Sequence, residues 1–345
     1  MKRTLVLLLS LALGMGACSS SCRGCGGSGA ARGAAADAGE VDPRVEVVSA
    51  GREPRVRLEV QRWTGFSYRS ELESESSFGI EGQAPTVLPT AIIHVKSQVT
   101  RGIGDPIVRP RGTGELRLLE ERATLEKIAV QSSAFPAPLV AQFNAGLGMF
   151  AGTTTRSLVA EDGAIVEMKT ELVGGQKPTP EIAQVLDAAW EAQKRFPFRL
   201  PAQPVGPGAR WRFSEELEFR KVRGIQLAEM YLTALDDQVA RIRVRIRHQA
   251  PRQQVPHPFN PKDTAMLEHY RGDADGEVTI DRATAVLLDG RLATTATFKL
   301  TGQIDGGNKT VTFAAASLVR SRGEIVREDA GAGSADAARD ARGER

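Results

Sequence analysis

Between Val239 and His248 the chain reads Val-Ala-Arg-Ile-Arg-Val-Arg-Ile-Arg-His. Ile242, Val244 and Ile246 alternate with Arg241, Arg243, Arg245 and Arg247. Successive side chains of a strand point to opposite faces, so this run fits an extended segment with one buried face. On a helix the same residues would scatter around the axis. The period of two recurs at Arg55 to Val60, Phe66 to Phe78, Ala91 to Thr100, Arg210 to Phe219 and Ile225 to Leu235. It returns at Gly276 to Ile280, Ala293 to Thr301 and Lys309 to Ser321. Asp236-Asp237 and Asp289-Gly290 read as hairpin turns between such runs. Strands joined by short turns predict antiparallel pairing. The expected class is mainly β, of the α+β kind, with curved antiparallel sheet.

Two helices are expected against that sheet. Thr179-Pro180-Glu181 supplies an N-cap, a proline at the first helical position and an acidic residue at the positive end of the dipole. Ile182, Val185, Leu186, Ala189 and Trp190 then share one face, which predicts a long helix over 180–196. A shorter one, over 138–150, is weakened by Gly146 and Gly148. Gly114 to Leu118 followed by Arg122-Ala123-Thr124 echoes Gly276 to Ile280 followed by Arg282-Ala283-Thr284. The echo suggests two similar halves, 45–178 and 198–328, with the long helix between them.

The ends of the chain differ from this body. Lys2 and Arg3 precede an apolar run from Leu5 to Leu13 and the small residues Gly14, Gly16 and Ala17. That three-part layout predicts an export signal over 1–17. Its apolar run is shorter than the roughly 20 residues of a spanning helix. Met15-Gly16-Ala17-Cys18 resembles the lipobox of bacterial lipoproteins. The resemblance implies that Cys18 is acylated and becomes the new N-terminus. Ser19 at the next position implies sorting to the outer membrane of a Gram-negative cell, and several acyl chains would make the anchoring durable. Residues 18–44 are rich in Gly, Ala and Ser and predict a flexible tether. The tail over 329–345 has the same character, which leaves a globular body over 45–328.

Charge and cysteine content narrow the roles of that body. Without Lys2 and Arg3 the 45 basic residues fall to 43 against 42 acidic ones. No domain-wide basic excess is present to neutralise phosphates, so nucleic acid is not an expected partner. The three cysteines, Cys18, Cys22 and Cys25, all precede the body. The fold is therefore neither disulfide-stapled nor built on a thiolate site. Cys22 and Cys25 have redox spacing, but a redox pair needs a helix N-terminus in an α/β fold. Their glycine-serine setting fits a tether better.

Pro201 to Trp211 reads Pro-Ala-Gln-Pro-Val-Gly-Pro-Gly-Ala-Arg-Trp. Pro204 and Pro207 fix φ, Gly206 and Gly208 allow unusual backbone angles, and Trp211 can anchor the turn in a core. A dinucleotide loop requires a strand before its glycines and a helix after them, the reverse of the order expected here. The segment resembles the P-x-x-P-V-G-x-G-x-x-W stretch of a family of proteobacterial envelope proteins, many of them lipoproteins. There it follows a helix and opens a second run of strands. No enzymatic role attaches to that family. The expected architecture is also broadly similar to carriers of the LolA type, in which a half-open barrel is closed by helices.

No residue pattern in the body specifies a reaction. His94, His248, His257 and His269 lack short metal-ligand spacing. His257 and His269, with Asp263 and Glu268, flank a proline-rich segment expected as a long loop over 250–272, the most plausible place for a site. A metal there stands beside the plainer reading of solvated loop residues. The arginine ladder reads as an anion-binding face or as cross-strand pairs with acidic strands such as that bearing Glu71, Glu73 and Glu75. Supply of both signs at the same period favours pairing. The leading expectation is a non-enzymatic, membrane-anchored lipoprotein, with no cofactor or metal, that holds a hydrophobic or amphiphilic ligand in a sheet concavity. A structural lipoprotein presenting a surface to another envelope protein is the alternative, and a hydrolase of envelope polymers ranks third. The body would face the periplasm or the cell surface.

Overall fold

The alternating runs pair into one curved antiparallel sheet. The computed structural model describes residues 45–58, 66–101, 107–108, 115–116, 118–160, 165–173, 199–219, 222–256, 264–304 and 307–326. Cys18, both chain ends and the expected helix over 180–196 lie outside the described residues.

In chain order, β1 (Glu46–Ser49) is followed by β2 (Phe66–Ile80), β3 (Thr86–Val87), β4 (Thr90–Arg101), β5 (Ile107–Val108), β6 (Glu115–Leu116) and β7 (Leu118–Gln131). Next come the helix α1 (Ala137–Gly148), β8 (Thr154–Ala160) and β9 (Ile165–Glu171). The second run is β10 (Arg210–Phe219), β11 (Val222–Leu235), β12 (Val239–Ala250), β13 (Gln253–Pro256), β14 (Thr264–Asp281), β15 (Leu287–Ile304) and β16 (Gly307–Val326). The main path through the sheet is β1-β10-β11-β12-β14-β15-β16-β2-β4-β7-β8-β9. It consists of two meanders, joined where β16 pairs with β2 from Phe313 opposite Ile80 to Val326 opposite Ser67.

One phase of each strand faces inward and builds the core. Trp211, Phe213, Met230, Leu232, Ile242 and Ile280 pack together in the second meander. Leu72, Ile93, Leu125, Ile128 and Val130 pack in the first, together with Leu147 of α1 and the following Phe150. Phe78, Phe298 and Phe313 stack near the junction, with centroids 5.1 to 6.0 Å apart. Gly276 faces inward where β14 crowds β15. A Cβ there would lie 2.1 Å from the Arg291 carbonyl oxygen, so this close approach requires glycine.

Helix α1 matches the shorter expected helix. Pro138 sits in its first turn, where a missing N–H is harmless. Past Thr124, β7 has no β8 partner. Asn144 of α1 takes that place: its Oδ1 accepts the Val130 N–H at 2.7 Å, and its Nδ2 donates to the Val130 carbonyl at 3.0 Å. The Val130 groups on that edge are thereby satisfied by a side chain, while Leu125 bonds the backbone of Gly152 and Thr153.

Several expectations are corrected. The long loop over 250–272 is not one loop, because β13 and the first half of β14 run through it and pair with each other. A register shift between Leu267 and His269 switches the inward phase from odd to even positions, which breaks the alternation in the sequence. Asp289-Gly290 is not a turn; both residues pair within β15. The turn lies earlier, where the Asp281 carboxylate accepts the N–H groups of Ala283 and Thr284 and the Thr284 hydroxyl. Consequently the two Arg-Ala-Thr copies are not equivalent, one being inside β7 and the other in this turn. Arg55 to Leu58 forms no strand, and Val56 makes only an isolated bridge to Val205. The turn at Asp236-Asp237 is present: Asp236 Oδ1 accepts from Gln238 and Val239, and these backbone bonds hold its carboxyl below the usual range.

Candidate functional site

The register carries the inward face across the junction of the two meanders. His248 of β12 lies opposite Gly272, which lies opposite Ala296, then Ala315, then Phe78. The next row is Ile246, Ala274, Thr294, Ser317 and Ser76. A third row includes Leu292, Val319, Ser74 and Ala91. The middle of this face is thus paved with small residues and hydroxyls, while bulky side chains fill both flanks. Ser74 is 3% and Ser317 8% exposed, and the hydroxyl of each has no hydrogen-bond partner in the protein.

A chain of polar side chains crosses the inward face of the second meander. Arg199 Nη2 donates to Glu215 Oε2 at 3.0 Å, and Gln226 Nε2 donates to Glu215 Oε1 at 3.0 Å. Gln226 Oε1 then lies 2.8 Å from His248 Nε2. A carboxylate only accepts, so it turns the Gln226 amide group toward itself and leaves the amide oxygen facing the ring. That oxygen also only accepts, so Nε2 carries the proton, and in the neutral ring Nδ1 keeps the lone pair. Nδ1 approaches Gly272, where an added Cβ would come within 3.4 Å of it and 3.1 Å of the Tyr270 hydroxyl. Glu215, Gln226 and His248 are all buried. The arrangement orients a buried imidazole on the inward face.

A second polar pair lies in the first meander. The Tyr68 hydroxyl donates to Glu121 Oε1 at 2.5 Å. Burial, reinforced by this carboxylate, pushes the phenol well above its ordinary value of 10.0. Glu121 and His248 bracket the junction. Between them, the described inward positions of β14, β15 and β2, of β16 from Val311 onward and of β4 up to Val99 carry no charge, while Lys309, opposite Gly302, shares the inward phase at the exposed start of β16.

The outward face is ionic. Asp275 binds both Arg243, at 3.2 Å, and Arg245, at 3.1 Å, and Asp273 lies 3.9 Å from Arg247 as well as 3.0 Å from Arg271 of its own strand. The ladder is therefore paired across strands, mainly with β14 rather than with the strand of Glu71. Arg320 of β16 takes Glu73 and Glu75 instead. An open depression of about 340 Å3 among Glu229, Arg245, Arg247, Asp273 and Asp275 lies on this outward side.

The Pro201 to Trp211 segment is where the chain beyond β1 meets the second meander. Pro204-Val205-Gly206-Pro207 lies against residues 50–56, with Gly206 N–H bonded to the Ala50 carbonyl and Arg52 N–H to that of Pro207. A Cβ on Gly206 would stand 1.8 Å from the Arg52 oxygen, and Gly208 has φ +84°. Trp211 is fully buried and donates its indole N–H to the Arg199 carbonyl at 2.8 Å. The motif thus also positions Arg199, the head of the polar chain.

His94 is outward, 3.6 Å from Glu71. His269 pairs opposite Lys299 in β14, while His257 and Asp263 lie outside the described residues. Among the described residues no group of three or more His, Cys, Asp or Glu side chains could hold a metal ion. No described helix is long and apolar enough to cross a membrane. The polar chain escaped the sequence reading, although His248 shares the inward phase of Ile242, Val244 and Ile246. A polar residue in the apolar phase of a strand is the signal that marks it. Comparison with protein-family models finds no match, and comparison with curated proteins finds none either.

Proposed function

We propose that this protein is an envelope lipoprotein, anchored to the outer membrane through Cys18, that holds a hydrophobic or amphiphilic ligand against the inward face of its sheet without catalysing a reaction. The observation that carries this reading is the uncharged centre of that face. Small residues such as Gly272, Ala274, Ala296 and Ala315 stand there in successive rows, between the Phe78-Phe298-Phe313 stack and the Leu72-Ile93 cluster. A ligand seat of this class is concave and mostly apolar, with few polar groups to fix orientation. The signal-like segment ahead of Cys18 supports the location.

Native mass spectrometry of the full-length protein, extracted in mild detergent from envelopes, tests the reading. An added mass in the range of a lipid is expected. Protein that emerges ligand-free and takes up no lipid from mixed micelles overturns it. Co-elution with one envelope protein instead supports the second reading, a presented surface, for which the mixed-charge outward depression is the favoured place.

A further inference from the structure

Ser74 and Ser317 are diagonal neighbours across the β16–β2 ladder, because Ser317 faces Ser76 and Val319 faces Ser74. Diagonal neighbours on one face stand about 7 Å apart. Both side chains share the inward phase of Leu72, Phe78, Phe313 and Val319, both are more than nine-tenths buried, and neither hydroxyl has a protein partner. Burying a hydroxyl unpaired is unfavourable, and two such groups at one junction need an explanation. Thr294 lies opposite Ser317 on the other side, so the hydroxyl cluster spans three strands.

The chemistry of the surroundings selects the partner. The inward positions around the two serines, Leu72, Ser76, Thr294, Ala296, Ala315 and Val319, carry no charge, and Lys309, which shares the inward phase of β16, lies eight residues from Ser317 at the exposed start of that strand. An anionic headgroup or a free carboxylate would be buried without a counter-charge, which is strongly unfavourable. A hydrocarbon would leave both hydroxyls unsatisfied. A neutral group rich in acceptors, set between apolar chains, meets both conditions. We propose that the β16–β2 junction seats the ester linkages of a neutral diacyl glycerolipid. Ser74 and Ser317 donate hydrogen bonds to its ester carbonyl oxygens, and the acyl chains lie over the small-residue rows on β14, β15 and β16. This proposal rests on the ligand-binding reading above and names the class of ligand.

The test compares 1,2-dioctanoylglycerol with 1,2-dioctylglycerol, its diether counterpart, which lacks the carbonyls. Binding to the full-length protein in detergent is measured by titration calorimetry. The wild-type protein is expected to prefer the diester by about tenfold or more, the scale of two hydrogen bonds made to otherwise unpaired groups. A Ser74→Ala, Ser317→Ala double variant is expected to lose that preference while keeping its affinity for the diether. The lipid-free double variant is expected to melt at a higher temperature than wild type, because two buried unpaired hydroxyls are gone. A Ser317→Cys variant keeps the side chain's size but donates weakly, and should fall between the two in preference. Equal wild-type affinity for the two lipids, a preference that survives the double substitution, or a lowered melting temperature of the lipid-free double variant overturns the ester assignment alone. If neither lipid binds wild-type protein, the ligand-binding reading fails with it.

Discussion

Glu215 determines which nitrogen of His248 carries the proton, although the Gln226 side chain stands between them. One amide group on β11 passes the acceptor-only character of a carboxylate on β10 to an imidazole on β12. Removing the middle member takes one hydrogen bond from each of its neighbours. Gln226→Leu breaks two buried hydrogen bonds, one of them to a charged group, and is expected to destabilise the fold by about 2–4 kcal/mol. Urea unfolding of the full-length protein measures this. A loss within the noise of a surface substitution would show that the three side chains do not act as a chain.

Glycine has opposite consequences at two positions in this structure. Gly276→Ala places a methyl group against the β15 backbone and is expected to lower stability by about 1–3 kcal/mol or more. Gly146, inside α1, has no atom within 4 Å of an added Cβ. Gly146→Ala is expected to stabilise by about 0.5–1 kcal/mol through helix propensity. Paired thermal melts of the two variants, shifted in opposite directions, check both expectations.

Asn144→Ala leaves the Val130 N–H and carbonyl on the free edge of β7 without their side-chain partner. A loss of roughly 1–3 kcal/mol is expected, with faster amide exchange at Val130. Hydrogen exchange read at peptide resolution separates this local opening from global unfolding.

Tyr68 gives the fold a specific response to alkali. The folded state holds the phenolic proton more tightly than the unfolded chain does, first through burial and then through Glu121. Its contribution is therefore complete below the ordinary value of 10.0 and falls as pH rises above that value toward the raised one. Melting temperatures of wild type and Tyr68→Phe should differ near neutral pH and converge as pH climbs past about 10. A difference that stays constant across that window would remove the phenol from the account.

The strands were legible because their buried face imposes strict alternation, and the ladder at 241–247 is the plainest case. Legibility failed where geometry departs from the pleat. At β14 the shift between Leu267 and His269 exchanges inward and outward phases, so two correct half-strands looked like a loop, a reading the nearby prolines reinforced. At Asp289-Gly290 a dipeptide typical of turns lies within a strand, because the Asp281 carboxylate had already closed the chain reversal. The site was less visible than the fold. Glu215, Gln226 and His248 lie on three consecutive strands, 11 and 22 residues apart, and only the register of those strands brings them into line. The alternation over Phe66 to Phe78 was visible as a pattern, but the burial of Ser74 and Ser76 depends on β16, more than 200 residues later.

The pairing of β2 with β16 has a consequence for biogenesis. A nascent chain emerging from the ribosome presents β2 long before β16 has been made, so the first meander waits with an open edge until that strand follows. Completion of the sheet is thereby deferred until Gly307–Val326 has emerged, whatever the first meander has already formed. Truncation anywhere before Gly307 should leave a product trapped on chaperones rather than a smaller stable protein.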